Sequence, residues 1–224
     1  KGTVPILPTI FLPAHTIPEF VGGIPKARWY FENHPDAVDH MLQALYETER
    51  QLLQAYLDAG ADGFFFATRY SNAGILSRDE FERFCLPYEV RLTESTKGRA
   101  WFNMMHIHGV KDFYWDYYDK YFVQAYNWEN VPASVPEEER ATVARVRELT
   151  DRVLVTGTDQ VNDFYGSLEE VRERFAQRLE RAAKESGDNR LIFAPGCSLP
   201  LDIDPESVHQ IRVVVDAYNA SHNG

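Results

Sequence analysis

The chain has 224 residues, of which 44% are hydrophobic and 25% are charged, and this composition is typical of a globular protein with a core large enough for one domain. The formal net charge of -11 argues against broad attraction to nucleic acid or to an anionic membrane, and no apolar run approaches the roughly 18 residues that a transmembrane helix needs. Two cysteines, Cys85 and Cys197, are too few for a disulfide framework and indicate a reducing, cytoplasmic setting.

Short apolar runs alternate with longer amphipathic ones along the chain. Residues 3–11 predict a first strand, although its two prolines weaken the pattern. A long helix is predicted from Pro35 to Gly60, because apolar residues recur between them at helical spacing and the two residues suit a first turn and an end. Residues 63–67 predict a buried strand after this helix.

The next helix is predicted to begin at a capping box, in which Ser77 is the cap and Glu80 reaches back to it. The helix runs toward Lys97, and Pro87 should kink or split it. Residues 100–108 predict the strand that follows.

The second half of the chain continues the alternation. Its predicted elements are an aromatic helix over 110–121, a strand over 122–127, a helix over 137–149 and strands over 152–158 and 190–196. A second capping box, Ser167 with Glu170, precedes a helix with one apolar face, formed by Val171, Phe175, Leu179 and Ala182. Asp204 as cap and Pro205 as first helical residue open the last helix.

Six predicted strands, each followed by a helix, indicate a parallel sheet with helices outside it. No G-x-G-x-x-G follows any of the strands, so the fingerprint of a dinucleotide-binding sheet is missing. A (β/α)8 TIM barrel needs about eight units, two more than this chain offers. We therefore predict an α/β fold in which residues 1–224 form a single barrel domain. It would supply the C-terminal six or so units of a longer barrel whose N-terminal part is missing.

Polar and metal-ligating side chains follow the predicted strands. They are Thr68, Arg69, Ser71, Asn72, His106, His108, Asn127, Trp128, Glu129, Thr156, Thr158, Asp159, Gln160 and Cys197. In a β/α barrel the reactive groups gather at the carboxyl ends of the strands, so we expect these residues at one mouth.

His106 and His108 lie two residues apart on one strand and therefore point to the same side. They are either a buried, hydrogen-bonded pair or two arms of a metal site. Barrel closure can bring Cys197 within reach, and two imidazoles with one thiolate suit Zn²⁺ and leave a fourth position open, as in a catalytic site. Such a zinc ion lowers the pKa of a coordinated thiol or water.

Several other side chains have simpler interpretations. Asp159 is either a catalytic acid or base or a loop cap, and Cys85 is expected in the core among aromatic neighbours. The aromatic run over 113–122 predicts helix packing, and Ser71 has no His-Asp partners that would favour a serine nucleophile. The remaining histidines are expected on helix surfaces or in loops: His15, His34, His40, His209 and His222.

Four stretches carry a resemblance to a known family: LLQAYLDAGADGFFF, SNAGILSRDEFERFCLPY, VLVTGTDQVNDFYGSLEEVRERF and IFAPGCSLPLDIDPESV. The second contains S-x-A-G and L-P-Y elements, and the third contains G-S-x-E-E-V. They span residues 37–216 approximately, and the chain resembles the uroporphyrinogen decarboxylase superfamily. The resemblance implies one (β/α)8 barrel of greater length than this chain.

Within that superfamily the chain is most similar to the zinc-dependent corrinoid (cobalamin) methyltransferases. These carry an H-x-C element and a further cysteine in an APGC turn, and the three residues hold zinc, which activates a thiol to accept a methyl group from a methylated corrinoid. His106 matches the family histidine and Cys197 the APGC cysteine, whereas His108 stands in the place of the other cysteine. The resemblance thus implies zinc on these three residues and a corrinoid as donor or partner cofactor.

We therefore expect a metal-dependent methyltransferase that moves a methyl group between a corrinoid or related donor and a nucleophile. Asp159 and Glu129 would be catalytic, by polarising the substrate or supplying a fourth ligand. The residues expected to bind substrate are Arg69, Ser71, Asn72, Thr158 and Gln160. The expected partners are a small-molecule substrate, a corrinoid protein and a second copy in a homodimer.

A porphyrinogen decarboxylase is the main alternative. That branch has a histidine where Cys197 stands, and its substrates carry many carboxylates, whereas Arg69 is the only arginine that we place at the mouth. A non-catalytic binding homologue is a further alternative. A metal-dependent hydrolase, suggested by H-x-H alone, is less favoured because that class usually has the motif on its first strand.

Overall fold

Six short strands alternate with helices along the chain, and the computed structural model describes residues 4–222. The strands form one six-stranded parallel sheet whose order follows the chain. They are β1 Thr9–Phe11, β2 Phe65–Thr68, β3 Met104–Ile107, β4 Ala125–Trp128, β5 Val153–Thr158 and β6 Leu191–Pro195. The predicted α/β class is confirmed, and six β/α units are consistent with a partial (β/α) barrel.

The chain divides into two compact units, Lys1–Ala125 and Tyr126–Gly224, which we call unit 1 and unit 2. The α-helices of unit 1 are α1 Pro13–Val21, α2 Ile24–Asn33, α3 Pro35–Asp58, α4 Arg78–Phe84 and α5 Leu86–Glu94. The predicted long helix is α3. The capping box of Ser77 and Glu80 is present, and the helix that it opens is split where Pro87 begins α5. Both predictions are confirmed, whereas α1 and α2 were not predicted as helices.

The strands of unit 1 pair in parallel and separate two sets of side chains. Ala67 of β2 lies opposite His106 of β3, and Thr68 lies opposite Ile107. Because side chains alternate along a strand, His106 shares its face with Ala67, and Thr68 shares the other face with Ile107. The helices of unit 1 enclose a largely aromatic core, which includes Phe31, Tyr70, Phe81, Phe84, Cys85, Tyr114 and Tyr117. Cys85 is therefore a core residue, as predicted.

The predicted aromatic helix over 110–121 is wrong in most of its length. Only Trp115–Lys120 is helical, as a short 3-10 helix. Asp112 has a φ of 59°, which does not fit an α-helix, and Phe113 pairs with Asn72 in an isolated β-bridge. The aromatic run was also predicted to pack against the rest of the protein, and Tyr117 does lie in the unit 1 core. It reaches the core from the short 3-10 helix and not from a regular α-helix.

In unit 2 the α-helices are α6 Val143–Arg147, α7 Leu168–Ser186 and α8 Pro205–His222. The predicted helix over 137–149 is reduced to α6 and a 3-10 turn, because the indole N–H of Trp128 donates to the carbonyl of Ala141 at 2.7 Å and holds that residue outside the helix. The second capping box and the apolar face of α7 are confirmed, since Val171, Phe175, Leu179 and Ala182 are buried.

Three strand predictions need correction. Strand β3 begins at Met104, four residues later than the predicted 100–108. Strand β1 is shorter than residues 3–11, and Thr3 lies outside the described residues. Prolines at positions 5 and 8 lack the N–H that a ladder needs, which explains the late start. Strand β4 is displaced toward Trp128 relative to the predicted 122–127.

Candidate metal centre

The two histidines of the H-x-H element lie side by side at the carboxyl end of β3. A ring nitrogen of His106 lies within 4.8 Å of one of His108, and their ring centroids are 6.0 Å apart. His106 is buried and stacks on Phe65 at 5.4 Å, while His108 is partly buried. Unit 1 thus brings together two imidazoles that could share one cation.

Backbone contacts fix the strand end that carries this pair. The N–H of His108 donates to the carbonyl of Thr68 at 2.9 Å. Gly109 follows with a φ of +132°, and a Cβ there would lie only 3.2 Å from the side chains of Asn72 and Phe113. Glycine at this position therefore lets the chain turn sharply directly after the second histidine.

His108 is held in the form that binds metals. Burial lowers its pKa, and the positive charge of Arg69 lowers the pKa further. A neutral imidazole has a free lone pair, so metal binding need not displace a proton from His108 near neutral pH.

His15 was expected on a surface or in a loop, and that prediction is wrong. It is 9% exposed on α1, and its ring packs against Phe11 at 4.8 Å. Burial lowers its pKa to about 3, with further lowering by the charges of Arg69, His108 and His106. The effects of His106 and His108 on its pKa place His15 near the imidazole pair. Its Nδ1 is buried and has no hydrogen-bond partner among the described residues. The sequence offered no signal, because α1 was not predicted.

The substrate-binding residues predicted in unit 1 lie on the loop after β2. Arg69 forms an ion pair with Glu19 at 3.5 Å. Ser71 is fully buried, and its Oγ has no partner among the described residues. Asn72 accepts from the N–H of Gly74 at 3.1 Å and shapes the loop. Arg69 and Ser71 therefore retain groups that a substrate could use, whereas Asn72 is occupied by the backbone.

The strand ends of unit 2 are tied together around Asn127. Its Nδ2 donates to the carbonyls of Val155 at 2.7 Å and Pro195 at 3.0 Å, linking β4, β5 and β6. A Cβ on Gly196 would lie 2.7 Å from the Cα of Glu129, so glycine is needed where the two loops approach. This close approach positions the next residue, Cys197.

The side chain of Cys197 is partly buried. Burial raises its pKa, and the negative charge of Glu129 raises it further. The thiol is therefore held protonated in the absence of a cation, and a bound divalent cation would reverse this balance.

Glu129 and Gln160 form a pair at the ends of β4 and β5. Gln160 Nε2 donates to Glu129 Oε2 at 2.5 Å, and both side chains are at least partly buried. Burial raises the pKa of Glu129, and the charge of Asp159 raises it further, while Gln160 opposes the shift. A carboxylate whose pKa is raised accepts a proton more readily than an ordinary carboxylate.

Asp159 is occupied by its own loop. Its Oδ1 accepts from the N–H groups of Val161 at 2.8 Å and Asn162 at 3.2 Å, and its Oδ2 accepts from the Asn162 side chain at 2.8 Å. These contacts match the loop-cap interpretation. Thr158 is buried, and its Oγ1 has no partner among the described residues, so this hydroxyl remains available to a ligand.

The donor chemistry of the chain fits zinc. Unit 1 offers an adjacent imidazole pair, His106 and His108, and unit 2 offers the Cys197 thiol. Imidazole nitrogen and thiolate sulfur are the ligands that zinc prefers in proteins.

A chain of β/α units with polar and metal-ligating groups after its parallel strands has the layout of a barrel-type enzyme. The family is shown by sequence. The chain belongs to the uroporphyrinogen decarboxylase (URO-D) family, whose model matches residues 13–218.

Solved structures share the fold at low sequence identity. A methyltransferase from Methanosarcina mazei matches with a TM-score of 0.74 and 18% identity over 97% of this chain and 60% of that one. A Listeria monocytogenes protein described as a vitamin-B12-independent methionine synthase matches with a TM-score of 0.57 and 17% identity over 99% and 65%. A B12-independent methionine synthase from Shewanella sp. W3-18-1 matches with a TM-score of 0.58 and 16% identity over 98% and 64%. The chain thus spans less than two thirds of these neighbours.

The sequence matches no curated protein. Within residues 4–222, no helix combines the length and the apolar composition needed to cross a membrane.

Proposed function

We propose that the chain is a zinc-dependent methyltransferase in which His106, His108 and Cys197 hold the metal. The observation that carries the proposal is the imidazole pair at the end of β3, with ring nitrogens within 4.8 Å and the pKa of His108 lowered. Cys197, on the loop after β6, supplies the third ligand in this proposal. Three protein ligands leave one coordination position for a substrate.

The names of similar structures support methyl transfer as the reaction class. One is a methyltransferase, and two are described as methionine synthases that do not depend on vitamin B12. The proposed donor is a corrinoid or a related methyl compound, and the second choice is included because two of the three neighbours are described as B12-independent. A corrinoid protein is the proposed partner for the first kind of donor.

Zinc at this site would lower the pKa of a coordinated thiol and supply a thiolate near neutral pH. In the proposed transfer, the sulfur of a substrate thiol would form a bond to the methyl carbon while the bond from that carbon to the donor breaks. The bonding electron pair would leave with the donor, and the proton of the substrate thiol would pass to a base. Glu129 is the proposed base, because burial raises its pKa.

The other strand-end residues have binding roles in this proposal. Gln160 holds Glu129 in place through its hydrogen bond at 2.5 Å. Ser71 and Thr158 contribute hydroxyl groups that are buried and lack partners among the described residues. Arg69 contributes a positive charge that suits an anionic part of the substrate. Asp159 orders the loop that carries Gln160.

Metal analysis tests the proposal. The protein is loaded with zinc, freed from unbound metal by gel filtration, and assayed with methylcobalamin and 2-mercaptoethanol. We expect one zinc per chain, formation of the methyl thioether, and loss of both in Cys197→Ser. The matched control is Cys85→Ala, since Cys85 is buried in the helix layer of unit 1. A folded wild-type protein without zinc affinity would contradict the proposal.

Decarboxylation is the second candidate, because the matching family is named for uroporphyrinogen decarboxylase. Such a reaction releases carbon dioxide and needs no metal. Turnover of uroporphyrinogen in the presence of a strong chelator, unchanged in Cys197→Ser, would favour this candidate over methyl transfer.

A further inference from the structure

A carboxyl group lies buried beneath the strands of unit 1. Glu89, in the first turn of α5, is 1% exposed. Its Oε2 accepts from the hydroxyl of Tyr121 at 2.6 Å, and its Oε1 accepts from the hydroxyl of Thr68 at 3.0 Å. Burying a carboxyl group costs free energy that an apolar side chain of the same size does not. Packing alone therefore does not account for a glutamate here.

Thr68 connects this carboxyl group to the metal pair. It is the last residue of β2, and its hydroxyl donates to Glu89 on the helix-facing side of the strand. Its carbonyl oxygen accepts the N–H of His108 at 2.9 Å. One residue thus makes a hydrogen bond to Glu89 and a hydrogen bond to the backbone of a proposed zinc ligand.

We infer that Glu89 is a positioning residue for the imidazoles of His106 and His108, acting through Thr68. The inference rests on the proposed zinc site. Glu89 fixes the end of β2, and the end of β2 fixes the backbone from which both imidazoles extend. Groups that orient metal ligands without touching the metal contribute strongly to metal affinity.

Tyr121 holds the carboxyl group from the other side. Its ring is 1% exposed, and the N–H of the next residue, Phe122, donates to Thr93 of α5 at 3.2 Å. The segment after the 3-10 helix is therefore fastened to α5 at two points. The two carboxylate oxygens of Glu89 thus join the end of β2 to this segment.

Unit 1 contains a second buried carboxyl group that serves as the control, and the charge of Glu89 contributes to its raised pKa. Glu49, on α3, is also buried, at 8% exposure, and burial raises its pKa to about 9. It accepts from Thr16 at 3.4 Å, and its other oxygen has no partner among the described residues. Glu49 has the same chemistry and a similar burial as Glu89, but no hydrogen bond to Thr68.

The test compares four variants of the chain: Glu89→Leu, Glu89→Gln, Thr68→Val and Glu49→Leu. Zinc affinity is measured by competition with a chelator, and amide hydrogen exchange is followed at His108. We expect Glu89→Leu and Thr68→Val to weaken zinc binding about tenfold or more and to speed exchange at His108. Glu89→Gln should keep most of the wild-type zinc affinity, because the carbonyl oxygen of glutamine can still accept the hydrogen bond from Thr68. Glu49→Leu should leave both zinc affinity and exchange at His108 unchanged.

Wild-type affinity and wild-type exchange in a folded Glu89→Leu variant would overturn the inference. If Glu89→Leu does not fold, Thr68→Val decides, since it removes only the hydroxyl. If the wild-type protein binds no zinc, the proposed function fails, and exchange at His108 alone then decides whether Glu89 positions this strand end. An equal loss of affinity in Glu49→Leu would also overturn the inference, because it would indicate a general effect of buried acids.

Discussion

Unit 1 presents nitrogen donors at its strand ends, whereas unit 2 presents sulfur and oxygen donors. In unit 1, burial and Arg69 lower the pKa of His108, so its imidazole stays neutral. In unit 2, burial raises the pKa of Cys197 and of Glu129, which favours the protonated form of each group. Desolvation thus favours the uncharged form of all three groups, but only the uncharged imidazole is ready to bind a metal. Burial therefore favours metal binding by His108 and opposes it at Cys197.

The largest expected effect concerns the nitrogen donors. Replacing His106 and His108 by alanine together should abolish measurable zinc binding, because a site left with one protein ligand binds weakly. The matched control replaces His209 and His222, which are exposed on α8. Zinc content after gel filtration checks the result, and retention of zinc by the double variant would show that unit 1 is not part of the site.

The second effect compares the glycines that precede Cys197 and follow His108. In Gly196→Ala the new Cβ would meet backbone atoms at 2.7 Å, and in Gly109→Ala it would meet side chains at 3.2 Å in a backbone with φ of +132°. Each should cost about 1–3 kcal/mol of unfolding free energy and weaken zinc binding, Gly196→Ala more strongly.

Gly187→Ala is the control for this pair, since Gly187 has a φ of +67° but open space around it. It should lower stability by about 1 kcal/mol without changing zinc affinity. Urea denaturation and chelator competition check both quantities. Equal zinc affinity in Gly196→Ala and wild type would show that the close approach at Glu129 does not position Cys197.

The third effect is a pH dependence that comes from the buried acids of unit 1. Burial raises the pKa of Glu49 to about 9 and of Glu89 to about 7, from an ordinary value of 4.5. The folded state therefore holds protons that the unfolded state releases above pH 4.5. Stability from these groups is complete below pH 4.5 and is lost as the pH rises through about 7 and about 9.

We expect the unfolding free energy to fall, between the ordinary and the raised pKa values, by roughly 1.4 kcal/mol for each pH unit and each group that stays protonated in the folded state. Urea denaturation at a series of pH values measures this slope. Glu49→Gln and Glu89→Gln should each flatten the slope, because glutamine carries no ionisable proton. Curves for both variants that run parallel to wild type would contradict the assignment.

The smallest effect compares the two capping boxes. Ser77 caps the seven-residue α4 of unit 1, and Ser167 caps the 19-residue α7 of unit 2. Either serine changed to alanine should cost about 1 kcal/mol of unfolding free energy. Zinc affinity should stay unchanged in both variants. A loss of zinc affinity in Ser167→Ala would contradict this prediction, because it would indicate that α7 supports the zinc site.

Features that depend on neighbouring residues could be predicted from the sequence. The capping box at Ser167 and the buried face of α7 follow from local spacing, and the split before Pro87 follows from a missing N–H. The pairing of His106 with His108 on one face follows from strand geometry alone.

Features that depend on distant contacts could not be predicted. The 3-10 helix Trp115–Lys120 replaces an α-helix because Asp112 and Phe113 are held by the loop after β2. His15 is buried because α1 packs beside β2, and no local pattern carries that information. The hydrogen bonds of Glu89 join residues 21 and 32 positions away, so sequence spacing gives no sign of them.

Cobalt substitution tests the central claim most directly, because Co²⁺ bound in place of zinc gives absorption bands that report its ligands. The proposal predicts one bound Co²⁺ per chain, with a thiolate-to-cobalt charge-transfer band and tetrahedral ligand-field bands. Cys197→Ser should remove the charge-transfer band, and His106→Ala should weaken or remove all bands of the same ion. A charge-transfer band that persists at full strength in Cys197→Ser, or Co²⁺ binding unaffected by His106→Ala, would contradict a site built from both imidazoles and this thiol.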